Sequence, residues 1–212
     1  MRDYLADKPF LRRDYAREKY YDDPFSQAKT EVELRERQAK VTKEYNKAKE
    51  LLGEKAPISL SEFKKMGYNN TRGYKQILLK SELQEEINNG ALSLTINVDK
   101  QNRHSKDHPA YADYVARNRS KGKPIPGYIE LDNETIQKII DDNYLDGTII
   151  KRQVGQFSSV IKIDKKSGVA YSRFDLDGKY PTKTDEFTIH ISKSTTHLAP
   201  KMPKNDTEGG NQ

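Results

Sequence analysis

The sequence predicts an α+β protein, with helices packed on a small antiparallel sheet of four to five strands and an extended helical arm in front. Three observations predict it. Apolar residues recur at helical spacing up to about residue 147 and alternate after it. Capping residues stand where the helical patterns begin, as at Ser59 with Glu62 and at Asp132 between Leu131 and Ile136. Turn sequences such as Lys166-Ser167-Gly168 and Asp177-Gly178 separate the alternating runs.

The first 28 residues are rich in Asp, Arg and Tyr, interrupted by Pro9 and Pro24, and carry too little aliphatic surface for a core. They read as a tail that orders against a partner. A helix follows over 29–52. Leu34, Val41 and Ala48 recur every seven residues, with Tyr45 and Leu52 interleaved and Gln38 filling the remaining seam position. Such a narrow stripe can pair with another helix or lie on the domain, and the preferred reading is a solvent-exposed linker helix, ended by Gly53 and Pro57. Residues 1–56 therefore form a charged helical arm, 57–202 a globular domain and 203–212 a disordered tail.

Within the domain, the Ser59 box starts a short helix carrying Leu60 and Phe63. Ser81 with Gln84 repeats the signal ahead of Leu83 and Ile87, and Gly90 stops that helix. Leu92, Thr95, Ile96 and Val98 form a first strand. His108-Pro109 opens the next helix, with His108 as its cap and Tyr111, Tyr114 and Val115 packed inward. Arg117, Arg119, Lys121 and Lys123 then mark a basic loop. Ile136, Ile139 and Ile140 line one face of a last helix that ends by Gly147. The final third holds strands at 148–154, 159–164, 169–174 and 186–193 in a meander, with 195–199 extending the last after a bend. Helices cover one sheet face, and the other stays open and polar, where a single-stranded nucleic acid can lie.

Composition limits the chemistry. Hydrophobic residues and charged residues each make up 33%, so part of the chain is not buried. Cysteine is absent, which excludes disulfides, thiolate metal sites and cysteine nucleophiles. No run approaches eighteen apolar residues, and the N-terminus does not read as a signal peptide, so a cytoplasmic origin or a virion made in the cytoplasm is expected. A net charge of +6 favours phosphate backbones, although 32 acidic residues dilute it.

Two segments carry the chemistry. In 186–193, Phe187, Ile189 and Ile191 point one way while Thr188, His190 and Ser192 point the other. Lys193, Ser194, Thr195, Thr196 and His197 follow, each able to donate a hydrogen bond to a phosphate oxygen. His190 suits a solvated sheet face equally well. The second segment, Asp99 to His108, holds Lys100, Gln101, Arg103 and His104 and reads as a phosphate cradle. Histidines and cations together suit metal-free RNA cleavage, in which the 2′-hydroxyl is the nucleophile, imidazoles move protons and cations stabilise phosphoryl charge. The acidic pair Asp141-Asp142 and the acids Asp175 and Asp177 have the spacing of helix ends and turns, and no metal or cofactor is expected.

At these residues the chain resembles the polymorphic toxin type 50 family of bacterial toxin domains, which also forms the C-terminal module of phage minor head proteins. Lys100-Gln101-Asn102-Arg103-His104 and the run from Phe187 to Pro200 carry the resemblance, over roughly residues 90–202. It implies a metal-independent ribonuclease related in fold to barnase and the colicin RNases. It further implies that Lys100, Gln101, His104, Lys193, Thr196 and His197 line the active face, with His190 and Ser192 in support. His104, His197 and Lys193 are thus the expected catalytic groups. Lys100, Gln101, Arg103, His190, Ser192, Ser194 and Thr196 are the expected RNA contacts. Where the family commonly has a glycine before the threonine-histidine pair, this chain has Thr195, whose side chain narrows the approach to phosphate. The alternative expectation is a non-catalytic phage head protein, or an inhibitor of host defence, that binds nucleic acid or docks on a capsid or portal through residues 1–52. The expected location is the bacterial cytoplasm or the virion.

Overall fold

The computed structural model describes residues 31–57, 59–123, 125–163, 170–172 and 182–201. The expected tails and the turns at 166–168 and 177–178 lie outside these residues. The chain divides into two compact units, Met1–Glu85 and Glu86–Gln212.

The described residues of the first unit are helical. Helix α1 (Glu31–Leu52) buries Leu34, Val41, Ala48 and Leu52, the heptad stripe read from the sequence. Helix α2 (Leu60–Asn69) starts at Ser59, whose hydroxyl accepts from the Glu62 amide at 3.1 Å. Helix α3 (Thr71–Asn88) completes the set. Leu34 and Val41 share a buried cluster with Phe63 and Tyr74, and the Phe63 ring stacks on Tyr74 with centroids 4.7 Å apart. The linker-helix expectation for α1 is thereby corrected, because two neighbouring helices cover its stripe. Ser81 does not cap a helix either. It lies inside α3 and donates to the Ile77 carbonyl at 2.9 Å, the usual use of a serine within a helix.

The second unit is α+β, with its helices ahead of its main sheet. It contains a short helical turn α4 (Val98–Gln101), a 3-10 turn (Asn102–His104), α5 (Pro109–Ser120) and α6 (Asn133–Asn143). Its strands are β1 (Tyr128–Ile129), β2 (Thr148–Gln153), β3 (Gln156–Lys162), β4 (Ala170–Ser172), β5 (Thr182–Lys183), β6 (Glu186–Ser192) and β7 (His197–Pro200). The principal sheet runs β2-β3-β6-β7, antiparallel throughout. β4 leaves the expected meander and pairs instead between β1 and β5. The core face of the principal sheet is the row Ile149, Ser159, Ile189 and Leu198 with Phe157, Ile161, Phe187 and Ile191, all nearly sealed from solvent.

One expectation fails here and a second holds only in part. The segment 92–98 is not a strand, because single groups satisfy its backbone rather than a ladder. Ser93 makes one bridge to Ser192, and the Gln137 side-chain amide donates to Leu94 O and accepts from Ile96 N. The opposite sheet face is open only in part: Ser158 is sealed and Thr188 is 9% exposed, whereas Thr148, Ile150 and Lys162 are exposed. Gly147 leads into β2 in close contact with β3, and a β-carbon there would overlap the Val160 carbonyl. Asp132 caps α6 by accepting from Thr135 N at 2.7 Å, as its staple position predicts.

Candidate functional site

Antiparallel partners share a sheet face. Ser158 pairs with His190, and His190 pairs with His197, so the last two strands put both imidazoles side by side. Their rings stack with centroids 4.7 Å apart and planes 20° from parallel. His104 continues the stack beyond the free edge of β7, its centroid 5.7 Å from that of His197. Two stretches almost a hundred residues apart thus meet.

Backbone contacts hold that meeting in place. The Gln101 amide docks on β7 as a neighbouring strand would, accepting from Leu198 N at 2.8 Å and donating to Leu198 O at 3.1 Å. Asn97 caps α4 by accepting from Lys100 N, and its own backbone and side-chain amides donate to Thr196 O at 2.7 Å and Ser194 O at 2.9 Å. The α4 turn is therefore tied to the β6–β7 hairpin at three successive places. Inside the hairpin, the buried Thr196 hydroxyl donates to Ser93 O at 2.6 Å and accepts from Ser192 N. Ser192 Oγ accepts from Thr195 N at 2.9 Å and lies 2.7 Å from the Thr195 hydroxyl.

A cavity of about 310 Å³ opens at this junction, lined by Lys100, Arg103, His104, Tyr114, Arg117, Thr195 and His197. Three cations and no carboxylate line it, so it favours an anion. A second cavity of about 460 Å³ shares Arg103 and Arg117 and adds Asp99, Asn102, His108, Ala110 and Asp113.

Burial favours the neutral form of the three stacked histidines. Burial pushes His104 down to about 4, with His197 and Arg103 adding to the effect against the Gly127 hydrogen bond. Burial and the neighbouring His197, His104 and Arg152 likewise bring His190 to about 4. His197 is lowered too, by burial first and then by Lys100 and Arg103, while its bond to Thr195 opposes the shift. Their tautomers follow from geometry. His104 Nδ1 lies 3.0 Å from Gly127 O and His197 Nδ1 lies 2.8 Å from Thr195 O. A carbonyl only accepts, so each ring donates from Nδ1 and keeps a lone pair on Nε2. His190 makes only a long contact, 3.5 Å, to Ser158 Oγ.

The structure brings together Lys100, Arg103, His104 and His197 as expected, with His190 one ring further along the stack. Gln101 and Thr196 are corrected as direct contacts. Both are fully buried with their polar groups engaged by backbone, so they position the site rather than touch a ligand. Ser192 shapes the turn. Lys193 and Ser194 are exposed on it, outside the cavity lining. His108 caps α5 by accepting from Ala110 N at 3.1 Å.

Sequence reasoning missed Tyr114 and Arg117 as site residues. The expected basic loop begins too early, because α5 runs on to Ser120 and carries Arg117 one turn after Tyr114. The guanidinium lies over the Tyr114 ring at 5.2 Å, and that ring meets His104 edge-on at 5.9 Å. The i, i+3 spacing of an aromatic and an arginine after a proline-opened helix is the signal that would have found them. Thr195 lines the cavity. No described residue other than glycine has a positive φ, so Thr195 holds its place without left-handed strain.

Residues 96–200 match the family model for bacterial toxin 50, a span that holds the three stacked histidines and the whole cavity lining. No curated protein matches the chain, and no solved structure does.

Proposed function

Because residues 96–200 belong to the bacterial toxin 50 family, we propose that the second unit is a metal-independent endoribonuclease that cleaves RNA by attack of the 2′-hydroxyl. One observation carries the reading. His104 and His197, distant in sequence, line one cleft with Lys100, Arg103 and Arg117, and each ring is bonded through Nδ1, which leaves Nε2 with the lone pair. A phosphodiester seated there has cations around its non-bridging oxygens. His197, the middle ring of the stack and less buried than His104, takes the 2′-hydroxyl proton at Nε2. His104 packs against that ring and keeps it in place. Lys193 and Ser194 on the exposed turn are free to reach a flanking phosphate. The order of elements, helices ahead of an antiparallel sheet, supports relating the module to the barnase and colicin ribonucleases.

Among the described residues no helix is long and apolar enough to cross a membrane. The stripe on α1 that suggested a docking arm is covered within its own unit.

The test is cleavage of end-labelled RNA by the full chain in EDTA. The parent is expected to leave 2′,3′-cyclic phosphate ends, to spare a strand with deoxyribose at the cleaved position, and to lose activity on His197→Ala by about 10²–10⁴-fold. No cleavage by folded parent protein, or undiminished cleavage by the variant, overturns the proposal.

A further inference from the structure

RNA cleavage by this route needs two proton transfers, one from the 2′-oxygen and one to the departing 5′-oxygen. The imidazoles of the cleft are suited only to the first. Both donate Nδ1–H to a carbonyl and leave a bare Nε2. Three rings stacked at 4.7 and 5.7 Å repel a charge placed on any one of them once another is charged, and Lys100 and Arg103 add to that repulsion. The low values of His104 and His190 agree with this geometry.

The remaining lining groups that carry a proton are the guanidinium groups, the Lys100 ammonium, the Thr195 hydroxyl and the Tyr114 phenol. The Thr195 hydroxyl is engaged with Ser192 Oγ at 2.7 Å and is a far weaker acid than a phenol. A guanidinium does not give up its proton. An ammonium that did so would remove one of the three cations when the phosphoryl charge is greatest. A phenol transfers a proton without removing a cation, and the anion it leaves has Arg117 over its ring. The Tyr114 ring is held on both sides, by His104 and by Arg117, yet its hydroxyl has no hydrogen-bond partner among the described residues.

We infer that Tyr114 is a catalytic residue whose phenol protonates the leaving 5′-oxygen, an inference that rests on the ribonuclease reading above. The 2′-oxygen forms its bond to phosphorus as His197 Nε2 takes its proton. The bond from phosphorus to the 5′-oxygen breaks with its electron pair on that oxygen, which receives the phenolic proton. The products are a 2′,3′-cyclic phosphate and a free 5′-hydroxyl. The His197 imidazolium then returns a proton to the phenolate through water, which restores both groups.

Two RNA substrates test it, one with the natural bridging 5′-oxygen and one with sulfur in its place, whose thiolate departs without protonation. Tyr114→Phe keeps the ring and removes only the hydroxyl. Its kcat is expected to fall about 10²–10⁴-fold on the oxygen substrate, with KM little changed, and to return to the parent's value on the sulfur substrate. Wild-type kcat for Tyr114→Phe on the oxygen substrate would overturn the assignment, as would an equal loss on both substrates. Selective rescue of Lys100→Ala by sulfur, without rescue of Tyr114→Phe, would move the role to the lysine. If the parent cleaves neither substrate, the ribonuclease reading falls and takes this assignment with it.

Discussion

Replacing Gln101 with methionine isolates the contact that joins the two halves of the cleft. Methionine matches the length and roughly the volume of glutamine and adapts to an irregular site, so the change leaves little cavity behind. What it removes is the pair of hydrogen bonds to Leu198, at 2.8 and 3.1 Å. Leu198 and Gln101 are both sealed from solvent, and water cannot replace the lost partner. A buried polar group left unsatisfied costs about 1–3 kcal/mol, so stranding both the Leu198 N–H and its carbonyl costs roughly 2–6 kcal/mol. That is a large fraction of the ~5–15 kcal/mol that holds a domain together. At this size 1 kcal/mol moves the melting temperature by about 4 °C, which makes the expected drop roughly 8–24 °C. Thermal unfolding followed by circular dichroism measures it. A shift under about 2 °C, corresponding to half a kcal/mol, would mean that Gln101 does not hold β7 and that something else sets the spacing of His104 and His197. Where the variant is still folded at the assay temperature, cleavage should fall further than the folded fraction, because the α4 turn has lost one of its ties to the hairpin.

The buried histidines make stability depend on pH in a definite direction. His104 and His190 sit near 4 in the fold and near the ordinary 6.5 when unfolded, so between those values the unfolded chain binds more protons. Stability is complete above about pH 6.5 and is lost as pH falls toward 4. The His104 share is on the order of 3 kcal/mol, and the more exposed His190 contributes less. Urea midpoints at pH 7 and pH 4.5 check this, and equal midpoints would show that neither ring is buried neutral. Gly147→Ala should cost about 1–3 kcal/mol by driving a methyl group into the β3 backbone. An unchanged denaturation midpoint for that variant would place β2 and β3 further apart at this point than the fold has them.

The sequence was most legible where one residue completes a local backbone pattern. Ser59, His108 and Asp132 cap helices at the positions their neighbours predict. Gly53 and Gly90 follow helix ends with φ of 54° and 70°. These features depend on a few adjacent residues and need no knowledge of the rest of the chain. Ser81 shows the limit of that method, since Ser-x-x-Gln fits a cap and a helix interior alike, and here Ser81 is buried within α3 beside Tyr74 and Leu83. The segment 92–98 was misread for a related reason. Its alternating Leu, Thr, Ile and Val describe an extended backbone correctly, but the partners of that backbone are the amide of Gln137 and the hairpin turn, which no periodicity records.

The site divides along the same line. Alternation in 186–193 placed His190 opposite Ile189 and Ile191, but that His197 would be its cross-strand partner depends on the register of the β6–β7 hairpin. Gln101 and Thr196 looked like surface groups waiting for a ligand because polar side chains are usually exposed. In the fold both are fully buried, each bound to backbone. Such residues shape the chemistry without touching it. Thr195 O and Gly127 O lie at the Nδ1 side of two imidazoles, and those two carbonyls decide which nitrogen is left bare. A cleft built this way offers bases before it offers an acid. The proton for the leaving group must then come from a side chain on a different element, which is why the face of α5 that carries Tyr114 and Arg117 belongs to the site even though neither residue stands in either histidine motif.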